Sequence, residues 1–224
     1  MQMGDEMTVV LSGIRAVFWD NDGVLVDTEP LYYQATRETL ATVGVDLTPE
    51  QYYQFFLVQN CGAFHLAQAK GLSDAAIDEL RDARNARYND LLKTSPVAIA
   101  GVEQVLRQMK GKFMMGIVTS SHREHFDTTH QHTTLVQYID FVLTSEDYSV
   151  TKPDPAPYLA AIQRSGCRPE ECVVVEDSER GLIAATRAGL KCVVIPRALT
   201  RNGDFCAAYR VLNSIEEFAA LLDV

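Results

Sequence analysis

Asp20-Asn21-Asp22-Gly23-Val24 follows directly on the apolar run Ala16-Val17-Phe18-Trp19. A short continuous apolar run of this kind reads as a buried strand. The strand stops where two carboxylates stand two residues apart and a glycine lets the backbone turn. In an extended chain, residues i and i+2 point to the same side, so Asp20 and Asp22 can face one site. Two bare carboxylates that close repel each other unless a cation or a shared proton compensates. An Asp-rich turn after a strand would account for the same five residues without any chemistry, because Asp and Asn favour turns. The rest of the chain decides between the two.

Four more apolar runs resemble the first: residues 113–118, 141–143, 172–175 and 192–195. Short β-branched runs without polar alternation suggest parallel strands covered on both faces. Helical patterns separate them. Val102, Val105, Leu106 and Met109 share one helix face. Asp154 caps and Pro155 opens a helix carrying Tyr158, Leu159 and Ile162, with Gly166 as its stop. Ser178 caps another, which ends at Gly189. Alternating strands and helices predict an α/β fold with a Rossmann-like parallel sheet.

The stretch from Pro30 to Ser95 differs. It has no strong strand run, and Tyr33, Thr36, Arg37 and Leu40 have helical spacing. Pro49 starts one further helix and the Ser73-Asp74 pair caps another. The expected organisation is a core from residues 1–29 and 96–224, with a helical cap, 30–95, inserted after the first strand. The formal net charge of −10 argues against nucleic acid or an anionic membrane as the main partner. Cys61, Cys167, Cys172, Cys192 and Cys206 are odd in number and do not pair closely, so no disulfide framework is expected. Cys172 and Cys192 lie in apolar runs and read as reduced core residues. Residues 1–14 carry acids and no basic segment, unlike a signal peptide, and no apolar run approaches the roughly 20 residues of a membrane span. The expected setting is reducing and cytoplasmic.

In open parallel sheets, ligands bind beyond the carboxyl ends of the strands. Those ends carry Asp20 and Asp22, then Thr119-Ser120-Ser121, then Lys152-Pro153-Asp154-Pro155, then Glu176-Asp177-Ser178. Each group alone reads as a turn, a cap or a solvated loop. Together, in this order, they resemble the haloacid dehalogenase superfamily of phosphotransferases, in its helical-cap branch. The Asp-x-Asp-Gly-(Thr/Val) motif matches Asp20 to Val24, and the strand ending in Ser or Thr matches Val118-Thr119. The lysine before a proline-rich helix start matches Lys152, and the acidic pair after an apolar strand matches Glu176-Asp177. The resemblance runs from about Ile14 to Leu222.

The resemblance implies a Mg2+-dependent phosphatase acting on a small phosphorylated metabolite, with a sugar phosphate as one such substrate. Asp20 is then the nucleophile that forms an aspartyl-phosphate, and Asp22 the general acid/base. Thr119, Ser120, Lys152 and the backbone N–H of Asn21 hold the phosphate, the first of them at a helix N-terminus. Asp20, Asp177 and the backbone carbonyl of Asp22 coordinate Mg2+, with Glu176 as a ligand or as a partner behind the ligands. Asn21 departs from the apolar residue common at its position, and its side chain is expected to turn away from the phosphate. The second aspartate favours phosphoryl transfer over carbon–halogen cleavage.

Within the branch, Val26-Asp27-Thr28-Glu29-Pro30-Leu31-Tyr32 resembles the hinge of β-phosphoglucomutase-like enzymes and of sugar-phosphate and phosphoglycolate phosphatases. Mutases of this type carry a histidine near Tyr32 and a basic cap element. Here Tyr32 and the loop Gln59-Asn60-Cys61-Gly62-Ala63-Phe64 stand instead. Hydrolysis is therefore favoured, with phosphomutase activity as the alternative and a silent phosphate-binding module as a third reading. Tyr32, Gln59, Asn60 and His122 are the candidate substrate contacts. Arg84 and Arg87 read as solvated. His122, His125, His130 and His132 form no recognisable metal pattern and read as a solvated helix and loop.

Overall fold

The computed structural model describes residues 11–59 and 61–222. Residues 1–10, where most of the segment read against a signal peptide lies, and Asn60 fall outside the described residues. Six strands form one parallel sheet: β1 Ala16–Trp19, β2 Met114–Val118, β3 Phe141–Leu143, β4 Cys172–Glu176, β5 Lys191–Val194 and β6 Arg210–Val211, in the order β3-β2-β1-β4-β5-β6. The helices are α1 Glu29–Ala41, α2 Pro49–Tyr52, α3 His65–Gln68, α4 Asp74–Thr94, α5 Val102–Met109, α6 Arg123–His130, α7 Ala156–Ser165, α8 Glu179–Arg187 and α9 Ile215–Leu221.

Burial explains why the strands lack polar alternation. Val17 and Trp19 of β1, Met115 and Ile117 of β2, and Val173 and Val175 of β4 pack with α5 and α9. Ala16, Phe18, Val118, Cys172 and Val174 point the other way, against α7 and α8. Both faces are dry, so both sets of alternating residues are apolar. Gly116 in β2 lets Phe141 of β3 lie over it: a Cβ there would stand 2.2 Å from the Phe141 ring. β1 pairs with β2 on one side and β4 on the other. The chain leaves β1 in one direction first and returns to its other side later. That makes the carboxyl end of β1 the switch point, where a crevice opens.

Among the described residues, 29–94 contribute helices but no strand. α1 packs along α4, and Leu40, Leu47, Tyr52, Ala67 and Ile77 form a third apolar cluster of their own. Thr48 and Gln51 make a reciprocal capping box before α2, and Ser73 accepts from the Ala76 N–H at the start of α4. α2 runs into a π-helical turn, Tyr53–Val58. Among the described residues no helix is long and apolar enough to cross a membrane. The five cysteines are free, with Cys167, Cys172 and Cys192 buried.

Candidate active site

Asp20 follows β1 and its N–H donates to Val175 O of β4, 2.9 Å away. The sheet therefore holds the first aspartate directly. The chain then turns back on itself. The Asn21 carbonyl accepts from the N–H groups of Leu25 and Val26 at 2.9 and 3.0 Å. Gly23 sits at φ +90°, and a Cβ there would stand 2.3 Å from Asp177 Oδ2. Only glycine satisfies both the backbone and this close approach. The turn brings Asp22 beside three hydroxyls. Thr28 Oγ1 donates to its Oδ1. Thr119 Oγ1 and Ser121 Oγ donate to its Oδ2 at 3.0 and 2.9 Å.

Lys152 is 2% exposed and spends all three of its donors. They reach Asp20 Oδ1 at 2.7 Å, Val118 O at 2.8 Å and Glu176 Oε1 at 2.7 Å. Burial alone would push the ammonium's pKa down; the Asp20 and Glu176 carboxylates outweigh it and hold it up. Glu176 is fully buried, and Tyr158 OH donates to its Oε1 at 2.6 Å. Its Oε2 accepts from Ser178 Oγ at 3.2 Å and Asp177 N at 3.3 Å. Gly181 leaves room for that carboxylate, since a Cβ would stand 1.9 Å from its carbon.

Asp20, Glu176 and Asp177 bring one oxygen each within 4.8 Å of one another, all of them buried. Burial, then repulsion from Glu176 and Asp22, push the Asp20 carboxyl up to about 7 despite Lys152. Burial, then Asp20 and Glu176, raise Asp177 as well. Two of the three acids are thus short of positive charge. A hard cation with oxygen ligands fits this set. Glu176 already has both oxygens engaged by protein donors, which leaves Asp20 and Asp177 as the acids with unmet demand.

A cleft of about 350 Å³ opens above these groups. Its floor holds Asp20, Asp22, Lys152 and Asp177, and its roof is formed by Phe56, Leu57, Arg84 and Tyr88 from the helical segment. Ser120 lines it with a buried Oγ beside the Tyr148 hydroxyl. Ser120 Oγ is available to a ligand oxygen. Two nearby amides are already engaged: Ser121 N donates to Thr119 Oγ1 at 3.1 Å, and Glu146 takes the first amide of α6, Arg123 N, at 3.2 Å. An acid thus fills the positive end of α6.

The other site expectations divide. Tyr32 and His122 line the cleft. His122 is exposed, with its Nδ1 3.0 Å from Glu146 Oε1. Gln59 is exposed and is not among the cleft-lining residues; the π-helical turn before it sends Phe56 and Leu57 there instead. Arg84 was expected in solvent. It lies 4.5 Å over the Tyr32 ring and faces the cleft. Arg87 is exposed and pairs with Glu38 at 2.6 Å. The histidine segment is not uniformly solvated: His130 is buried and its Nε2 lies 2.9 Å from Asn21 Oδ1. Asn21 does turn away from the cleft. Sequence reasoning missed Thr28 and Ser121 as partners of Asp22, although both stand as hydroxyls beside recognised motifs.

The chain is similar to known proteins over most of its length. Residues 17–195 match the family model described as haloacid dehalogenase-like hydrolase. Protein CbbY of Rhodobacter capsulatus is 31% identical over 206 residues, covering 87% of this chain and 91% of the relative. A phosphorylated carbohydrates phosphatase of Thermotoga maritima is 28% identical, covering 94% and 91%. The crystal structure of CbbY from Rhodobacter sphaeroides in complex with phosphate superposes with a TM-score of 0.80 at 26% identity, covering 94% of this chain and 100% of that one. The chain belongs to the haloacid dehalogenase-like hydrolase family.

Proposed function

We propose that the protein is a Mg2+-dependent phosphatase that hydrolyses a small phosphate monoester, of the sugar-phosphate type, through an aspartyl-phosphate on Asp20. One observation carries the reading. Asp20 and Asp22 face the same cleft, yet one is bound by an ammonium and the other by hydroxyls. Such different settings suit two carboxylates to two roles. The kinship with a phosphorylated carbohydrates phosphatase supports the substrate class.

In the first step an Asp20 oxygen attacks phosphorus and the bond to the leaving oxygen breaks. Asp22 gives that oxygen its proton. In the second step Asp22 takes a proton from water, the water oxygen attacks phosphorus, and the Asp20–phosphorus bond breaks to release phosphate. Lys152 holds Asp20 in place and offsets the charge of the phosphoryl group. Ser120 Oγ receives a phosphate oxygen. Asp20 and Asp177 would hold Mg2+, with Glu176 fixing Lys152 behind them; the ion supplies charge neutralisation where an anionic nucleophile meets an anionic phosphoryl group. The helical segment 30–95 acts as a cap, and Arg84 and Tyr32 contact the leaving group from it.

Turnover of p-nitrophenyl phosphate with Mg2+ and with EDTA tests the reading. Activity in Mg2+ that EDTA abolishes and Asp20→Asn removes is expected. No activity across about pH 5 to 8 would defeat it. A panel of sugar phosphates read for both free phosphate and isomer separates hydrolysis from mutase activity.

A further inference from the structure

Asn21 stands between the two aspartates, and its side chain has a partner the reaction does not use. Successive residues of an extended backbone point to opposite sides. Asp20 and Asp22 face the cleft, and Asn21, 1% exposed, points into the protein. There its Oδ1 lies 2.9 Å from His130 Nε2 in the last turn of α6. His130 Nδ1 lies 2.7 Å from Thr133 Oγ1, and its ring packs on Phe126 with 4.4 Å between centroids. Burial pushes this imidazole down to about 4, so it is neutral. A neutral imidazole has one donor and one acceptor. The amide oxygen only accepts, so Nε2–H donates to Asn21 and Nδ1 accepts from the Thr133 hydroxyl.

The backbone of Asn21 matters as much. Its carbonyl receives the N–H groups of Leu25 and Val26, which close the turn carrying Asp22. Asp20 is fixed separately by β4, and the three hydroxyls grip only the Asp22 carboxylate. The peptide between the two aspartates is therefore held on one side by its own turn and, from within the protein, by the Asn21 side chain on His130. A buried amide left without a partner is costly, so this chain needs His130 once it has Asn21.

We propose that His130 is a positioning residue: by holding Asn21 it fixes the peptide that sets Asp22 against the phosphoryl group. The inference rests on the phosphatase reading above. His130→Phe keeps the ring on Phe126 and removes the donor. In the p-nitrophenyl phosphate assay with Mg2+, kcat should fall about tenfold while KM stays within about twofold. Asn21→Leu should do the same, and the double variant should cost no more than either change alone, because the two groups act as one unit. His130→Gln, whose side-chain amide can donate to Asn21, should recover most of the lost kcat. Full kcat in folded His130→Phe, or single losses that multiply in the double variant, would overturn the inference. If His130→Phe does not fold, the other variants decide. An about tenfold loss in Asn21→Leu with most of kcat retained in His130→Gln supports the role, and full kcat in Asn21→Leu or an about tenfold loss in His130→Gln overturns it. Absent turnover in the wild type defeats the phosphatase reading and this inference with it, whereas full turnover in His130→Phe defeats the inference alone.

Discussion

Mg2+ binding to the acidic cluster should release a proton, and its affinity should therefore depend on pH. Asp20 is pushed from its ordinary 3.8 up to about 7 in the metal-free site. A cation must displace the proton that this carboxyl retains. With that value, the deprotonated fraction falls roughly 25-fold between about pH 7.5 and pH 5.5, and the apparent affinity should fall by the same factor, about 2 kcal/mol. Asp177 is raised by burial and by Asp20, and acts in the same direction. Lys152 is held above its ordinary value and stays charged throughout. The sign for stability follows. The folded, metal-free protein keeps a proton that the unfolded chain has lost between 3.8 and about 7. The cluster's contribution to stability thus falls as pH rises through that window, and Mg2+ offsets the loss. His130, lowered from 6.5 to about 4, works oppositely on stability between those values, but it does not belong to the cluster and leaves the Mg2+ affinity alone. Calorimetric titration with Mg2+ in two buffers of different ionisation enthalpy counts the protons directly. Asp20 alone should release about one at pH 5.5 and about a quarter of one at pH 7.5, and any proton on Asp177 adds to both. An affinity that changes less than about threefold, with no proton released, would refute the reasoning.

Three substitutions separate the site from its scaffold. Gly23→Ala forces an L residue to φ +90° and a Cβ to within 2.3 Å of Asp177 Oδ2. Turnover should fall at least about 100-fold, with a stability loss of about 1–3 kcal/mol by denaturant titration. Lys152→Met removes three hydrogen bonds and leaves Asp20 and Glu176 buried without their cation. It should cost about 3–5 kcal/mol of stability and abolish turnover. Gly116→Ala drives a Cβ to 2.2 Å from the Phe141 ring, and neither residue lines the cleft. It should cost about 1–3 kcal/mol in the same titration while the folded fraction retains its kcat.

The fold was legible where burial acts on both faces of a strand. The runs at residues 16–19, 113–118, 141–143, 172–175 and 192–195 match β1 to β5 within a residue at each end. β6 was not legible: Arg210 and Val211 are exposed, pair only with β5, and leave no apolar run. The floor of the site was legible for a related reason. Asp20, Thr119 and Asp177 lie just beyond strand ends, so finding the strands locates them; Lys152 stands in the loop between β3 and α7 and was found from the prolines that follow it. The roof was not. Arg84, His125 and His130 sit on helices whose faces are chosen by tertiary packing, and the polar sequence around them assigned them to solvent. Arg84 stacks on Tyr32 instead, and His130 is drawn inward by Asn21. The cap loop at Gln59 was a reasonable place to seek substrate contacts. A π-helical turn, which no local periodicity announces, gives that place to Phe56 and Leu57.

The central claim is covalent: phosphate passes through Asp20. Acid-quenching the enzyme during turnover, reducing with borohydride and mapping peptides by mass spectrometry tests it at one residue. An acyl phosphate on Asp20 would be reduced to homoserine at position 20, with Asp22 unchanged. Active enzyme that yields no modification at position 20, or yields it at position 22, would contradict the account.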